Sequence, residues 1–194
     1  MDKVIHKKLQ SMGLFKSGEV QKKIGVSQST LSRWVDKGFI NHVSRGLYIH
    51  PESSVLPEHL DFAIACSHFG FKSAIGGLSA LFYYGLTEQA PEQIWLIVPP
   101  ARKDESTQKK YKCLRTHTSL TIGIDKKKYF KITNIERTLL EAMKFATKIG
   151  QRTAISSARK ALREGLTTEK KLAQMSSRLK MKNVLEKYWE AIVI

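Results

Sequence analysis

Residues 17–51 read SGEVQKKIGVSQSTLSRWVDKGFINHVSRGLYIHP, and no other stretch limits the fold of this chain so tightly. Ser27 stands where a helix N-cap belongs, since its hydroxyl can accept a hydrogen bond from the first unpaired backbone N–H groups. Val26 before it and Leu31 beyond match a hydrophobic staple, which sets the angle at which the chain enters the helix. Leu31, Trp34 and Val35 recur at helical spacing and are expected to be buried. That leaves Gln28, Ser29, Ser32, Arg33 and Lys37 on the other face, and Gly38 supplies a left-handed stop. A helix and a tight turn precede this segment, and a small β-hairpin follows it. The order is that of a winged helix-turn-helix, a module that sets one helix in the major groove of DNA.

Charge points the same way. Lys and Arg number 33 against 17 Asp and Glu, a formal +16 with a pI near 9.9. A surplus of that size raises the local concentration of polyanions and favours nucleic acid or an anionic membrane over acidic small molecules. Its placement is uneven: residues 1–50 carry +6, residues 51–100 carry −4, and residues 101–194 carry +14. Lysine used only for solubility would account for the total but not for its position beside a capped polar helix.

At 194 residues the chain is long enough for one or two domains with real cores. The longest apolar stretches are too short to span a bilayer, and no basic–apolar–small leader pattern opens the chain. Cys66 and Cys113 stand alone, as reduced thiols in a cytoplasmic protein would. No Cys-x-x-Cys or His-x-x-x-His spacing suggests a metal site, and no cofactor motif is present.

PESSVLP at 51–57 is turn-rich and reads as a linker. Residues 1–52 are therefore expected to form the winged helix-turn-helix and residues 58–194 an α+β domain, as separable modules. Within the second, 58–69 has a helical pattern stopped by Gly70, and GLSALFYY at 77–84 reads as a buried helix ending at Gly85. IWLIV at 94–98 is a continuous apolar run, expected to be a central strand. Residues 101–112 are expected to be an exposed loop or the start of an edge strand. Further strands are expected at 112–116, 120–124 and 129–132. Thr133-Asn134-Ile135-Glu136 has the spacing of a capping box, opening a helix to about Thr147 with Ile135, Leu139, Leu140, Met143 and Ala146 inward. Helices at 152–164, after a cap at Thr167, and at 182–192 complete the chain. The class is α+β: an N-terminal winged helix-turn-helix joined to a mixed α/β domain with a helical C-terminal half.

Three blocks in order resemble the AbiEi-type antitoxins. They are GVSQSTLSRWVDKGFINHVSRGLYIHP, with its Arg45-Gly46-Leu47-Tyr48 wing turn; IGGLSALFYYGLTEQAPEQIWLIVPP; and KITNIERTLLEAM. The resemblance spans about residues 10–145, and the last 45 residues carry no motif that aligns. It implies a bacterial, cytoplasmic and nucleoid-associated protein of a type IV toxin–antitoxin system, of the abortive-infection kind that defends against phage. Such a protein represses its own operon by binding inverted repeats in its promoter. It also counteracts a nucleotidyltransferase-like toxin without forming a stable complex with it.

The residues expected to meet DNA are Ser27, Gln28, Ser29, Thr30, Ser32, Arg33 and Lys37 on the second helix, and Ser44 and Arg45 on the wing. Arg matches the O6/N7 edge of guanine and Gln the N6/N7 edge of adenine, although half or more of protein–DNA hydrogen bonds go to phosphate and sugar. At the wing tip, phosphate is favoured for Arg45. The run Lys126, Lys127 and Lys128 reads as a solvated turn that can extend the same footprint. His42 and His50 read as structural or solvated. Glu136 and Arg137 invite a catalytic account, but a cap and an ion pair explain them without one. No carboxylate pair, phosphate loop, Ser/His/Asp or Cys/His set supports an enzyme. The competing expectation is a mobile-element or metabolic repressor with a ligand-sensing C-terminal domain, against which stands the lack of an aromatic- or glycine-lined pocket signature.

Overall fold

The computed structural model describes residues 2–70, 72–100 and 109–193. The chain divides into two compact units, Met1–Ile64 and Ala65–Ile194. The first holds α1 (Lys3–Met12), β1 (Leu14–Lys16), α2 (Ser17–Ile24), α3 (Gln28–Asp36), β2 (Asn41–Ser44) and β3 (Leu47–Ile49). β3 lies between β1 and β2 and is antiparallel to both. This is the expected winged helix-turn-helix, with α1 and β1 as additions the sequence reading lacked. Asp2 caps α1 by accepting the Val4 N–H, and the helix buries Leu9 fully.

The core of this unit comprises Leu9, Phe15, Val20, Val26, Leu31, Ile40 and Tyr48. Trp34 and Val35 were expected inside but are only half-buried at its rim, because Ile40, just past the helix, fills the centre. Gly46 sits in the two-residue turn between β2 and β3 with φ at 69°, a left-handed conformation that a Cβ would strain. The expected boundary is also corrected. α4 (Pro57–Phe69) runs through the division at residue 64, and Val55 within the supposed linker is buried.

His50 is buried in this unit, and its tautomer can be read from its partners. Its Nδ1 accepts the Glu52 N–H at 3.1 Å, so its proton sits on Nε2, 3.2 Å from Nε2 of His6. Burial, and then His6, push the imidazole below its ordinary 6.5 against the opposing pull of Glu52. A histidine with a lowered folded pKa binds fewer protons folded than unfolded. Its contribution is therefore present at neutral pH and lost as the pH falls through 6.5 toward the folded value. The melting temperature should drop between about pH 7 and about pH 5.5, and less so in His50→Gln. An equal drop in that variant would show that other groups govern the acid limb.

The second unit contains β4 (Ala74–Ile75), α5 (Gly77–Tyr83), β5 (Ile94–Val98), β6 (Tyr111–Arg115), β7 (Ile124–Lys126) and β8 (Lys131–Thr133). Five helices follow: α6 (Ile135–Lys144), α7 (Ala146–Ile149), α8 (Gln151–Arg163), α9 (Glu169–Arg178) and α10 (Lys182–Val193). The sheet order is β6-β5-β4-β8-β7. β5 is buried along its whole length, as a continuous apolar run requires, but the middle position belongs to the two-residue β4. Leu139, Leu140, Met143, Leu172 and Leu185 of the helical half share one core with Trp95, Ile97 and Leu114 of the sheet. α5 lies very close to the sheet at its start. A Cβ on Gly76 would come within 2.9 Å of Ile97, and one on Gly77 within 2.8 Å of Trp95.

Several local expectations are overturned here. Thr133 and Glu136 do not form a capping box: Asn134 is the cap, accepting the Arg137 N–H at 3.0 Å. Thr133 instead ends β8 and bonds Thr138 through their hydroxyls at 2.6 Å, while Glu136 accepts from Thr167 at 2.8 Å. With Thr167 so engaged, Thr168 caps α9. The helix expected to reach Thr147 breaks at Phe145, between α6 and α7. β8 starts at Lys131 rather than 129, and residues 101–108 lie outside the described residues.

The strand expected at 120–124 is absent, and its absence has a cause. Arg137, fully buried, donates from Nη1 to the carbonyls of Ser119 at 2.6 Å and Ile122 at 2.5 Å. Drawing both carbonyls onto one guanidinium folds residues 119–123 into a turn around it, and β7 begins only at Ile124. Arg137 is held in turn by Glu141, with Nε to Oε1 at 3.0 Å and Nη2 to Oε1 at 2.9 Å, both side chains wholly enclosed.

Candidate nucleic-acid interface

Ser27 caps α3 as expected, its Oγ accepting the Thr30 N–H at 3.3 Å. The same hydroxyl lies 2.9 Å from Ser29 Oγ and 3.0 Å from Thr30 Oγ1, so the start of α3 carries a cluster of three hydroxyls. Arg33 follows one turn on, exposed, with Nη2 donating to Thr30 Oγ1 at 3.3 Å. That contact lays the guanidinium along the polar face of the helix. Ser32 donates back to the Gln28 carbonyl at 3.3 Å, which occupies its proton within the helix. Lys37 ends the face, exposed, as the C-cap, and Gly38 follows with φ at 70°.

Gln28 behaves differently from its neighbours. Its Nε2 donates to the hydroxyl of Tyr48 at 2.8 Å, a bond that ties α3 to the return strand of the wing. Tyr48 is itself buried, stacked 6.3 Å from Phe15 and packed 5.2 Å from His42. The bond anchors Gln28 to the wing although the residue stays exposed, and Ser27, Ser29, Ser32, Arg33 and Lys37 are the other exposed side chains of this face. On the wing, Arg45 is exposed at the tip and Ser44 is half-buried in β2.

Sequence reasoning missed one part of this surface. The first turn of α2 meets the wing turn, with the Ser17 N–H donating to the Gly46 carbonyl at 3.0 Å. Lys16, Ser17, Glu19, Lys22, Lys23 and Gly46 line a cleft there of about 540 Å³, with Glu19 paired to Lys23 at 2.7 Å. Helix N-termini present N–H groups and positive potential to anions. The signal in the sequence is Lys16-Ser17-Gly18 just ahead of the amphipathic pattern of α2.

Lys126, Lys127 and Lys128 belong to the second unit, where Lys126 ends β7 and the other two form the turn to β8. The turn closes through the Lys127 N–H on the Phe130 carbonyl at 2.9 Å. All three are exposed, and Lys128 Nζ lies 4.9 Å from the centre of the Tyr129 ring.

These features define a two-unit α+β chain with a winged helix-turn-helix at its head and a helical C-terminal half. No family model matches its sequence, and no curated protein does. In fold it is similar to the crystal structure of the RV2827C protein from Mycobacterium tuberculosis, with a TM-score of 0.60 and 11% identical residues. The likeness covers 90% of this chain and 70% of that one. No helix among the described residues is long and apolar enough to cross a membrane.

Proposed function

We propose that the chain is a sequence-specific binder of double-stranded DNA that represses its own operon and acts as the antitoxin of a type IV toxin–antitoxin pair. The observation that carries the DNA reading is the outer face of α3. A capped helix with a hydroxyl cluster and an exposed Arg33 is tied to a wing tipped by Arg45, in a chain of net charge +16. The start of α2 adds Lys16 and Lys22 as phosphate contacts beside that face. The antitoxin reading rests on the three blocks that resemble the AbiEi-type family. It makes a nucleotidyltransferase-like toxin the functional partner, with no stable complex between the two.

Readout and positioning separate by mutation. Arg33→Ala should cost about 1–3 kcal/mol on the native promoter and little on random duplex, whereas Arg45→Ala or Lys37→Ala should weaken both alike. Fluorescence anisotropy on the two duplexes decides this, and equal losses for Arg33 would make it a phosphate contact only. In cells, the full chain carrying Arg33→Ala and Arg45→Ala should lose repression of a promoter reporter while still protecting growth against the co-expressed neighbouring toxin. Loss of both functions by a folded variant would mean that protection acts through the same DNA surface.

A further inference from the structure

Gln28 and Tyr48 stand 20 positions apart in the sequence, yet Gln28 Nε2 donates to the Tyr48 hydroxyl at 2.8 Å. Gln28 is the first residue of α3 and is exposed, whereas Tyr48, in the middle of β3, is 4% exposed. In a helix-turn-helix the first residues of the second helix are the ones that reach base edges. The bond therefore joins a buried group to a side chain placed for readout. The hydroxyl itself has little freedom. Tyr48 is the register partner of Phe15 on β1 and of His42 on β2, with ring centres 6.3 Å and 5.2 Å away. A ring fixed from both neighbouring strands presents its oxygen at a constant place.

That oxygen decides how the Gln28 amide is turned. Its nitrogen is directed at the tyrosine, which leaves Oε1 on the opposite arm of the amide. An amide nitrogen carries two N–H groups, so one goes to Tyr48 and the second remains beside Oε1. One donor next to one acceptor complements the major-groove edge of adenine, where N7 accepts and N6 donates. Guanine shows two acceptors there, N7 and O6, and would set one of them against Oε1. A free glutamine relieves such a clash by turning its amide over. An amide pinned through its nitrogen cannot turn without losing the bond. Pinning also removes in advance part of the rotamer freedom that a glutamine gives up on binding.

We propose that Tyr48 is a positioning residue that aims the Gln28 amide at an adenine in the major groove and disfavours guanine at that place. The proposal rests on the reading of α3 as the DNA-recognition helix and adds to it the base and the group that selects it. The hydroxyl acts through Gln28 and makes no contact with the base itself. Specificity at this one base pair then depends on a buried residue of the wing, outside the helix that carries the reading side chain.

The test is selection of bound duplexes from a random-sequence DNA library by the full chain, with the retained pool sequenced. The wild-type chain should enrich a motif holding an A·T pair whose preference over G·C falls about tenfold in Gln28→Ala. Tyr48→Phe, which removes the hydroxyl and keeps the ring, should lower that same preference by about threefold or more. The other positions of the motif and the salt slope of binding should stay as they are in the wild type. The double variant should read no worse than Gln28→Ala alone, because the hydroxyl has nothing to aim once the amide is gone. If Tyr48→Phe weakened every position alike, its role would be structural and the proposal would fall. It would fall as well if Gln28→Ala flattened no position, if it flattened one that Tyr48→Phe left intact, or if the flattened pair preferred guanine. A library left unenriched by the wild-type chain would overturn the DNA reading and this one with it, a result distinct from the others.

Discussion

Affinity for duplex DNA should fall by about a thousandfold to a hundred-thousandfold between roughly 50 and 200 mM salt. The cause is counterion release, with log K falling by about 0.9 per log unit of salt for each phosphate neutralised. About six to ten contacts are expected for a chain of net charge +16, among them the exposed Lys16, Lys22, Arg33, Lys37 and Arg45 of the first unit. An anisotropy titration at several salt concentrations gives the slope directly. A slope near zero would remove the DNA reading whatever the shape of α3.

The second large effect concerns stability. Arg137→Ala should cost about 3–5 kcal/mol, because it strands the Glu141 carboxylate in a site with no exposure and releases two backbone carbonyls. Urea denaturation followed by circular dichroism measures it. Burial pushes the Glu141 carboxyl up against the pull of Arg137 and Lys144. With Arg137 gone, a carboxyl whose folded pKa lies above its unfolded one is stabilised while protonated and loses that contribution as pH rises. The deficit should therefore shrink on acidification toward the ordinary carboxylate range. Replacing both partners, as Arg137→Met with Glu141→Leu, should recover most of the loss. A loss below about 1 kcal/mol for Arg137→Ala would mean that water or another cation compensates Glu141.

What could be read from the sequence was local. The cap at Ser27, the stop at Gly38, the wing turn at Arg45-Gly46 and the helices of the C-terminal half all depend on neighbours a few residues apart, and all are found. One error is itself local, and the others lie where a distant group intervenes. Thr133 was misread as a cap because its partner Thr138 and the competing cap Asn134 offer equally good local chemistry. The strand at 120–124 was misread because nothing nearby announces that Arg137 takes its carbonyls. The bond from Gln28 to Tyr48 spans 20 positions, so a residue first grouped with base-reading candidates also belongs to the frame.

The glycine pair under α5 bears on which sequences can inherit this fold. At Gly76 and Gly77 the helix start is packed so near Ile97, Trp95 and Leu114 that the smallest added carbon meets a core side chain within 3 Å. In a saturation mutagenesis library, selected for folding alone, these two adjacent codons should be close to invariant while most of the lysine-rich surface drifts freely. Lineages can exchange nearly every charge on such a chain and still keep its architecture, provided that two side chains stay missing.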